Sequence, residues 1–313
     1  MPDFTIVTPV LNQVQQIEKC ILSVLGQNCD VQYIIIDGGS TDGTVDIIRK
    51  YKDRISYWES KPDRGQSHAT NKGLAIAEGT FFNWLNADDQ LTENALKNVI
   101  ETTSEETQVV VGKCEHIDEN GNRVAIGGAR IWDSLEATLG NYSMGQPSVF
   151  YRTELMREFE GVNAGLHYCM DMDLWFRFLT EMGQKNIQTT EKVLSKFLVH
   201  DESKSSLHSE KMNTEKYGIY HALLTEFELP EILTQFFTEF PVPKSVQYSL
   251  PADLNQNELF SQFAWHLMVD AYGRKQTNEC SAYLDMVKKG SRLSTTEVLQ
   301  WKARIASIKF LKQ

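Results

Sequence analysis

The stretch VQYIIIDGGSTDGT, residues 31–44, decides the fold. Its apolar run Val31–Ile36 stops at an acidic, glycine-rich segment, which is typical of a central parallel strand covered on both faces. Ser40 and Thr41 follow as candidate N-caps for a helix whose apolar face begins at Val45. The stretch therefore predicts one strand–turn–helix unit of an α/β sheet.

The same alternation of strand and helix surrounds this unit. Short β-rich runs occupy residues 4–8, 55–58 and 81–85, and helical patterns occupy residues 17–25, 67–77 and 93–102. Strands that alternate with helices in this way indicate a parallel, doubly wound sheet. We therefore expect an α/β fold, with helices on both faces of a mostly parallel sheet.

The pattern changes after residue 109. Shorter strands are predicted at 109–111, 123–126 and 148–151, a helix at 170–182, and one or two strands at 187–199. Beyond about residue 208 only helices are predicted, at 209–227, 231–240, 258–271, 278–288 and 295–311. We expect an α/β domain over residues 1–208, with halves at 1–112 and 113–208, and a helical C-terminal region over 209–313.

The bulk composition excludes several classes of protein. The 313 residues carry a formal net charge of −11, whereas a general nucleic-acid binder needs clustered Lys and Arg to neutralise phosphates. Residues 1–10 lack the pattern of a signal peptide, and no apolar run reaches the roughly 18–20 residues of a membrane span. The five cysteines are scattered without CxxC spacing, which argues against a disulfide framework and a structural zinc site. We expect a cytoplasmic protein.

Three polar clusters follow predicted strands: Thr-Pro-Val-Leu-Asn at 8–12, Asp-Gly-Gly-Ser-Thr-Asp-Gly at 37–43, and Asn-Ala-Asp-Asp at 86–89. Ligands of open α/β sheets bind beyond the carboxyl ends of the strands. A divalent cation can bridge carboxylates there to the oxygens of a pyrophosphate. Each cluster alone is also explained as a turn or a helix cap, but the three in this order indicate a phosphate ligand.

Five segments, at 34–44, 61–73, 84–89, 145–151 and 171–177, resemble glycosyltransferase family 2. The resemblance covers roughly residues 3–205 and is nearest to the branch that builds bacterial surface polysaccharides. It implies the GT-A fold, followed here by a helical C-terminal extension. It also implies transfer of a sugar from a nucleotide-diphosphate sugar, in the first place a UDP-sugar, to a glycan or lipid-linked glycan. The halves 1–112 and 113–208 would then bind the donor and the acceptor.

The resemblance assigns the donor side residue by residue. Thr8 and Pro9 should flank the nucleotide base, and Asp37 should hydrogen-bond the uracil or the ribose. Arg64 lies where a cation would help hold the nucleotide. Asn71 and Lys72, on the following helix, would face the donor.

The family's Asp-x-Asp metal motif falls on residues 86–88, where Asn86 replaces the first aspartate and removes one negative charge. The amide oxygen of Asn86 would still reach the ribose or the water shell of the metal. Asp88 is then the main ligand expected for Mn²⁺ or Mg²⁺, and Asp89 is expected to cap the next helix. Matching family segments place His200 near the diphosphate, as a second metal or phosphate ligand, although a lone histidine is also often structural. Lys204 would contact phosphate as a point charge.

The segment 170–175 supplies the candidate catalytic base. By resemblance the base is Asp171, and Met170 replaces the acidic residue that precedes it in the family. Asp173 is expected to pair with Arg177 at i,i+4 instead, and residues 146–148 to shape the acceptor cleft. One carboxylate that removes a proton from an attacking hydroxyl gives a single displacement, so the configuration at the sugar should invert.

The last helix has two interpretations. It carries Trp301, Ile305 and Leu311 among basic residues, a pattern that a peripheral membrane helix also shows. Such a helix would hold the chain at the inner face of the cell membrane, close to lipid-linked acceptors. The interpretation that we favour is a helix packed on its own domain or on a second subunit of a homodimer.

Two other functions compete with sugar transfer. A nucleotidyltransferase would open with a Gly-rich, basic phosphate loop, and residues 8–13 contain neither Gly nor a basic residue. A catalytically silent scaffold or glycan-binding subunit would not need Asp37, Asp88 and Asp171, whereas Asn86 and Met170 keep that alternative open.

Overall fold

The computed structural model describes residues 2–200, 208–290 and 292–310. The first half comprises β1 (Phe4–Val10), α1 (Ile17–Leu25), β2 (Val31–Asp37), α2 (Thr44–Lys50), β3 (Tyr57–Ser60), α3 (Gln66–Ala75), β4 (Phe81–Trp84), β5 (Gln90–Leu91) and α4 (Ala95–Thr102). The second half comprises β6 (Val109–Ile117), β7 (Arg123–Gly128), α5 (Leu135–Gly140), β8 (Val149–Arg152), α6 (Thr153–Glu158), α7 (Met170–Met182) and β9 (Ile187–Leu198). The C-terminal helices are α8 (Ser209–Leu224), α9 (Glu231–Phe237), α10 (Gln256–Gly273), α11 (Thr277–Lys289) and α12 (Thr295–Phe310).

One mixed sheet runs through the molecule in the order β3-β2-β1-β4-β8-β6-β9-β5, with β7 paired to β6. The first four strands are parallel, which confirms the predicted doubly wound arrangement. β8 is antiparallel to both β4 and β6, and β9 is parallel to β6. The chain therefore reverses its order at β1, which lies between β2 and β4, and this is where open α/β sheets bind ligands.

Helix α3 packs unusually close to strand β1. A Cβ atom on Gly73 would lie 2.5 Å from the methyl groups of Val7, so only glycine permits this approach. The close contact brings the N-terminus of α3 beside the carboxyl end of β1, at the edge where the candidate ligand site was predicted.

The C-terminal helices share a core with the α/β half. One buried cluster runs from Val7 and Trp84 through Trp175 to Tyr220 and Phe263. The ring of Tyr220 packs edge-on against Phe263 at 4.5 Å and at a tilt against Phe176 of α7 at 5.5 Å. The helical region is therefore packed into the molecule, although a boundary at residue 208 stays a prediction.

The last helix uses its apolar face inside the chain. The ring of Trp301 packs edge-on against Trp265 at 5.7 Å and Tyr272 at 5.3 Å, and Ile305 is buried. This confirms the packed interpretation for the side chains that are described, a set that does not include Leu311. Among the described residues, no helix is both long and apolar enough to cross a membrane.

The start of α2 differs from the prediction. The helix begins at Thr44 after Gly43, which has a φ of 104°, and neither Ser40 nor Thr41 caps it. Asp42 is the residue that accepts from the backbone N–H of Thr44, at 2.9 Å. The short elements β5, α5 and α6 were not predicted, because two to six residues hold too little periodicity to detect.

Candidate active site

A cleft of about 550 Å³ opens at the carboxyl ends of β1 and β4. It is lined by Pro9, Val10, Leu11 and Gln13 after β1, by Asp63, Gly65, Gln66 and Ala69 around the start of α3, by Trp84, Asn86, Ala87 and Asp88 after β4, by Gly145–Pro147, and by Met170 and Asp171 of α7. Cys114, His116, Met144, Tyr168, Phe197 and Met212 complete the wall. The cleft thus brings the first and third polar clusters together with the candidate base.

Asp37 is fully buried beneath this cleft rather than on its surface. Its carboxylate accepts from the backbone N–H groups of Gly39 at 3.1 Å and Ser40 at 3.0 Å. The hydroxyl of Ser60 donates to it at 2.5 Å, and the Ser40 hydroxyl donates to its other oxygen. In this arrangement Asp37 organises the loop after β2, and its expected hydrogen bond to the uracil or the ribose stays a prediction.

Thr8 and Pro9 point to different sides of β1, as successive strand residues must. The Thr8 hydroxyl is buried in the core, 3.1 Å from the hydroxyl of Tyr33, whereas Pro9 lines the cleft. Only Pro9 of this pair is therefore placed to flank a base.

Asn71 and Lys72 do not face the cleft as expected. The amide of Asn71 donates to the carbonyl of Val162 at 2.7 Å and accepts from its N–H at 2.9 Å, so it fastens α3 to the segment before α7. The Lys72 ammonium lies 2.8 Å from the Glu59 carboxylate. Arg64 is exposed in the loop whose neighbouring residues line the cleft.

The cluster at 86–89 forms a hydrogen-bonded floor. Gln66 donates to the amide oxygen of Asn86 at 2.6 Å, and the amide nitrogen of Asn86 donates to Asp89 at 3.1 Å. Asp89 is buried, and α4 begins at Ala95, so the prediction that Asp89 caps that helix is wrong. Burial, followed by the charge of Asp88, raises the pKa of Asp89 well above its usual range.

Asp88 and His200 meet at the edge of the cleft, with Oδ2 and Nε2 3.3 Å apart. The Asp88 side chain keeps 24% of its surface exposed, and no Lys or Arg of the described residues forms an ion pair with it. A carboxylate oxygen suits Mn²⁺ and Mg²⁺ and a neutral imidazole is a common metal ligand, so these two residues fit a divalent cation. No third His, Cys, Asp or Glu joins them within the described part of the chain, and Lys204 lies outside it.

Asp171 lies in the first turn of α7 and lines the cleft. The hydroxyl of Tyr142 donates to its Oδ2 at 3.0 Å. Burial raises the pKa of the Asp171 carboxyl, while the Tyr142 hydroxyl and the backbone N–H groups of the helix start oppose that rise. A carboxylate with a raised pKa is a stronger base, which is what removal of a proton from a hydroxyl requires.

The C-terminal region holds α7 from both sides. The Glu215 carboxylate of α8 accepts from the backbone N–H groups of residues 167, 168 and 169, at 2.9, 2.6 and 2.6 Å. Asp173 accepts from Arg177 at 2.9 Å, which confirms the predicted i,i+4 pair, and from the hydroxyl of Tyr248 at 2.9 Å. The helix that carries the candidate base is therefore positioned by residues of the C-terminal region.

The segment 145–147 joins the two halves of the cleft. Gln146 donates from its amide to the carbonyl of Trp84 at 2.6 Å and lines the cleft together with Pro147. The prediction that this segment shapes the cleft is confirmed for these two residues, whereas Ser148 is buried against Ser195 at 2.5 Å.

Three contacts of the site were missed in the sequence: Tyr142 on Asp171, Gln66 on Asn86, and Glu215 on the backbone before α7. Tyr142 and Asp171 are 29 positions apart in the sequence. Glu215 lies on α8, and the sequence does not show that this helix packs against the segment before α7. Gln66 directly precedes the predicted helix 67–77 and begins α3 in the structure, and the sequence holds no further signal for its contact with Asn86. Such partners become visible only when the elements are packed.

Fold and cleft together define a GT-A protein. The sequence profile of the family described as Glycosyl transferase family 2 matches residues 5–162, half of the chain. The chain therefore belongs to glycosyltransferase family 2.

Relatives by sequence carry glycosyltransferase names. A protein of Rickettsia felis named "Uncharacterized glycosyltransferase" is 27% identical over 241 residues, which cover 72% of this chain and 39% of the relative. A "PGL/p-HBAD biosynthesis glycosyltransferase" of Mycobacterium bovis is 35% identical over 96 residues, 29% of this chain and 38% of that one. The chain thus spans well under half of the length of these two relatives.

Solved structures share the fold. Residues 1–349 of S. aureus TarS, in complex with UDP-GlcNAc, match with a TM-score of 0.58 and 17% identity, over 98% of this chain and 89% of that one. The mannosyltransferase PcManGT of Pyrobaculum calidifontis, in complex with GDP-Man and Mn²⁺, matches with a TM-score of 0.55 and 15% identity, over 97% and 80%. At these identities the likeness establishes the fold alone.

Proposed function

We propose that the chain is an inverting glycosyltransferase. It would move a sugar from a nucleotide-diphosphate sugar, in the first place a UDP-sugar, to a glycan or lipid-linked glycan acceptor. The observation that carries the proposal is that Asp88 and Asp171 line the same cleft at the switch point of the sheet. One carboxylate is open to a cation, and the other is placed as a base.

Asp171 carries the chemistry in this proposal. The acceptor hydroxyl attacks the anomeric carbon, its proton passes to the Asp171 carboxylate, and the bond from that carbon to the diphosphate oxygen breaks. One displacement inverts the configuration. Tyr142 keeps the other carboxylate oxygen in place, so the base is pre-oriented before the acceptor arrives.

Asp88, together with His200, would hold Mn²⁺ or Mg²⁺, and the ion would stabilise the charge of the departing diphosphate. Diphosphate oxygens and water would complete its ligands, since these two residues form no larger cluster in the described part of the chain. Asn86 contributes no charge because its side chain is a neutral amide, and that amide is engaged by Gln66 and Asp89. The complexes of TarS with UDP-GlcNAc and of PcManGT with GDP-Man and Mn²⁺ support this type of donor.

The apolar side chains on the acceptor side of the cleft favour an acceptor molecule that has an apolar part. Met144, Met170, Met212, Tyr168 and Phe197 all line it. A purely polar glycan would leave these side chains in contact with water, whereas an aglycone or lipid carrier would bury them.

A panel of nucleotide-sugars tests the proposal. Each is incubated with the protein and Mn²⁺, and nucleotide release and thermal stabilisation are measured. At least one donor should raise the melting temperature and release its nucleotide when acceptor is added, and EDTA should stop the release. Full activity in EDTA would remove the assignment of Asp88 as a metal ligand. No stabilisation and no calorimetric binding of UDP or GDP with Mn²⁺ would favour the scaffold alternative.

A further inference from the structure

A second cavity, of about 210 Å³, lies among the C-terminal helices. Aromatic side chains form most of its wall, together with one leucine, one lysine and one histidine: Tyr142, Tyr217, Tyr220, Phe236, Phe237, Phe263, Leu267, Lys216 and His266. Tyr142 is also the residue that donates to Asp171. The cavity and the candidate base are thus linked through Tyr142, which lines the cavity and donates to Asp171.

Lys216 is the charged group of this cavity. It is half-buried, and burial lowers its pKa. Within the described part of the chain, its ammonium has no carboxylate at ion-pair distance, and it lies 5.6 Å from the centroid of the Tyr217 ring. A contact at this distance is at the outer limit of a cation–π interaction.

The acidic groups nearby are engaged elsewhere. Glu215, next in sequence, binds three backbone N–H groups before α7. Asp270, on α10, pairs with Arg274 at 2.7 Å. Neither carboxylate is therefore available to neutralise Lys216.

The other polar groups at this end of the cavity add no negative charge. His266 Nε2 lies 3.1 Å from the Asn141 amide oxygen, and Arg292 donates to the same oxygen at 3.0 Å. The amide nitrogen of Asn141 donates to Gln262 at 2.8 Å, which fixes the orientation of the amide, so the histidine nitrogen is the donor. Among the described residues that line the cavity, Lys216 is therefore the one with a permanent charge, and no carboxylate lines it.

We propose that this cavity binds a small organic anion, with its carboxylate on Lys216 and an apolar body of about one ring among the aromatic side chains. A body of one ring fits the cavity, because a 150 Å³ apolar cavity in another protein admits benzene and this one measures about 210 Å³. A charge-assisted bond to a partly desolvated ammonium gives the anion its advantage over a neutral molecule of the same shape. The site is separate from the substrate cleft and does not depend on the proposed function.

Calorimetry with benzoate and with benzyl alcohol, a neutral molecule of similar shape, tests the proposal. Benzoate should bind the intact chain roughly tenfold more tightly than benzyl alcohol, since hydrogen bonds to charged groups exceed neutral ones by about this factor. Lys216→Met should remove that preference and keep the affinity for benzyl alcohol. The substitution is not expected to unfold the chain, because replacing a buried charge with an apolar residue of similar volume is often stabilising.

Two controls locate the site. Lys211→Met removes an exposed lysine of the same helix and should leave the preference for benzoate unchanged. A saturating concentration of UDP with Mn²⁺ should also leave it unchanged, because the donor would occupy the other cleft. Equal affinity for benzoate and benzyl alcohol in the intact chain, or a preference that survives Lys216→Met, would overturn the proposal and show that the Lys216 ammonium only reaches water at the cavity mouth.

Discussion

Single residues around Asp171 determine what that carboxylate can do. The loss of water on burial favours its protonated form, and the Tyr142 hydroxyl and the helix N-terminus favour the charged form. The balance leaves the pKa of Asp171 above its ordinary value, while the Tyr142 hydroxyl helps to fix the orientation of the carboxyl group. A base of this kind is both strong and oriented, and each property has its own test.

Tyr142→Phe separates the two properties. Removal of the hydroxyl takes away a group that lowers the pKa of Asp171, so the pKa should rise further. The acid limb of the kcat/KM profile should then move to higher pH, with roughly a tenfold loss on that limb, because a hydrogen bond to a charged group contributes about 1.5–3 kcal/mol. At pH values well above the acid limb, kcat/KM of the variant should come close to that of the wild type.

Tyr151→Phe is the matched control, since the Tyr151 hydroxyl is buried without a hydrogen-bond partner among the described residues. This substitution should leave the pH profile of kcat/KM unchanged. A loss in Tyr142→Phe that is the same at every pH would contradict a role in tuning the base.

Asn86→Asp tests the altered metal motif. An added carboxylate next to Asp88 should reduce the Mn²⁺ concentration for half-maximal activity several-fold, by roughly 1 kcal/mol of charge attraction. Without metal the same change should lower the melting temperature, because the amide donor to Asp89 is lost. Asn94→Asp, at an exposed position before α4, should change neither quantity. A Mn²⁺ requirement that rises in Asn86→Asp would place the ion away from residue 86.

The residues of the site were predictable only in part. Pro9, Asp88 and Asp171 follow strand ends or open a helix, where sequence patterns are strong, and the structure places all three on the cleft. Asp37 and Asn71 were expected there too. In the structure the Asp37 carboxylate accepts from the backbone of the loop after β2, and the Asn71 amide donates to the carbonyl of Val162. A sequence shows that a polar residue is near an edge of the sheet, and only packing decides whether its side chain faces solvent.

At the scale of elements, α8 is the support of the catalytic segment. Glu215 satisfies three backbone N–H groups that precede α7 and would otherwise lack partners near the start of a helix. The C-terminal region therefore orients the segment that presents Asp171.

Glu215→Ala should remove this support. The free energy of unfolding should fall by about 2–3 kcal/mol, since three bonds to a charged group are lost while water reaches part of the site. Urea denaturation measures it, and kcat should fall together with stability. Glu226→Ala, an exposed glutamate just after the same helix, should stay within about 0.5 kcal/mol of wild type. Equal stability of the two variants would show that the segment before α7 keeps its conformation without Glu215.

Prediction of elements succeeded where the periodic signal was long. The bounds of α7 were predicted as 170–182, and the structure has Met170–Met182, because its apolar residues repeat over more than three turns. The start of α2 was placed too early, because Ser40 and Thr41 are good caps in isolation. The Asp37 carboxylate engages the Ser40 hydroxyl instead, and the helix starts after Gly43.

At the scale of the whole molecule, the α/β half and the helical region share one core. The last helix contributes Trp301 and Ile305 to it. Trp301→Ala should lower the free energy of unfolding by about 2–3 kcal/mol, less than for a fully buried Trp because the side chain is partly exposed. Leu299→Ala, at a residue that is 62% exposed, should change it by less than about 0.5 kcal/mol. A larger loss in Leu299→Ala than in Trp301→Ala would show that the other face of the helix is the packed one.

Asp171→Asn tests the central claim most directly. The asparagine keeps the shape of the side chain and can still accept from Tyr142, but it has no basic oxygen. Sugar transfer should fall roughly 10²–10⁴-fold, the range expected for loss of a general base, while UDP with Mn²⁺ binds with unchanged affinity in calorimetry. Transfer at the wild-type rate by a variant that binds UDP normally would contradict the account.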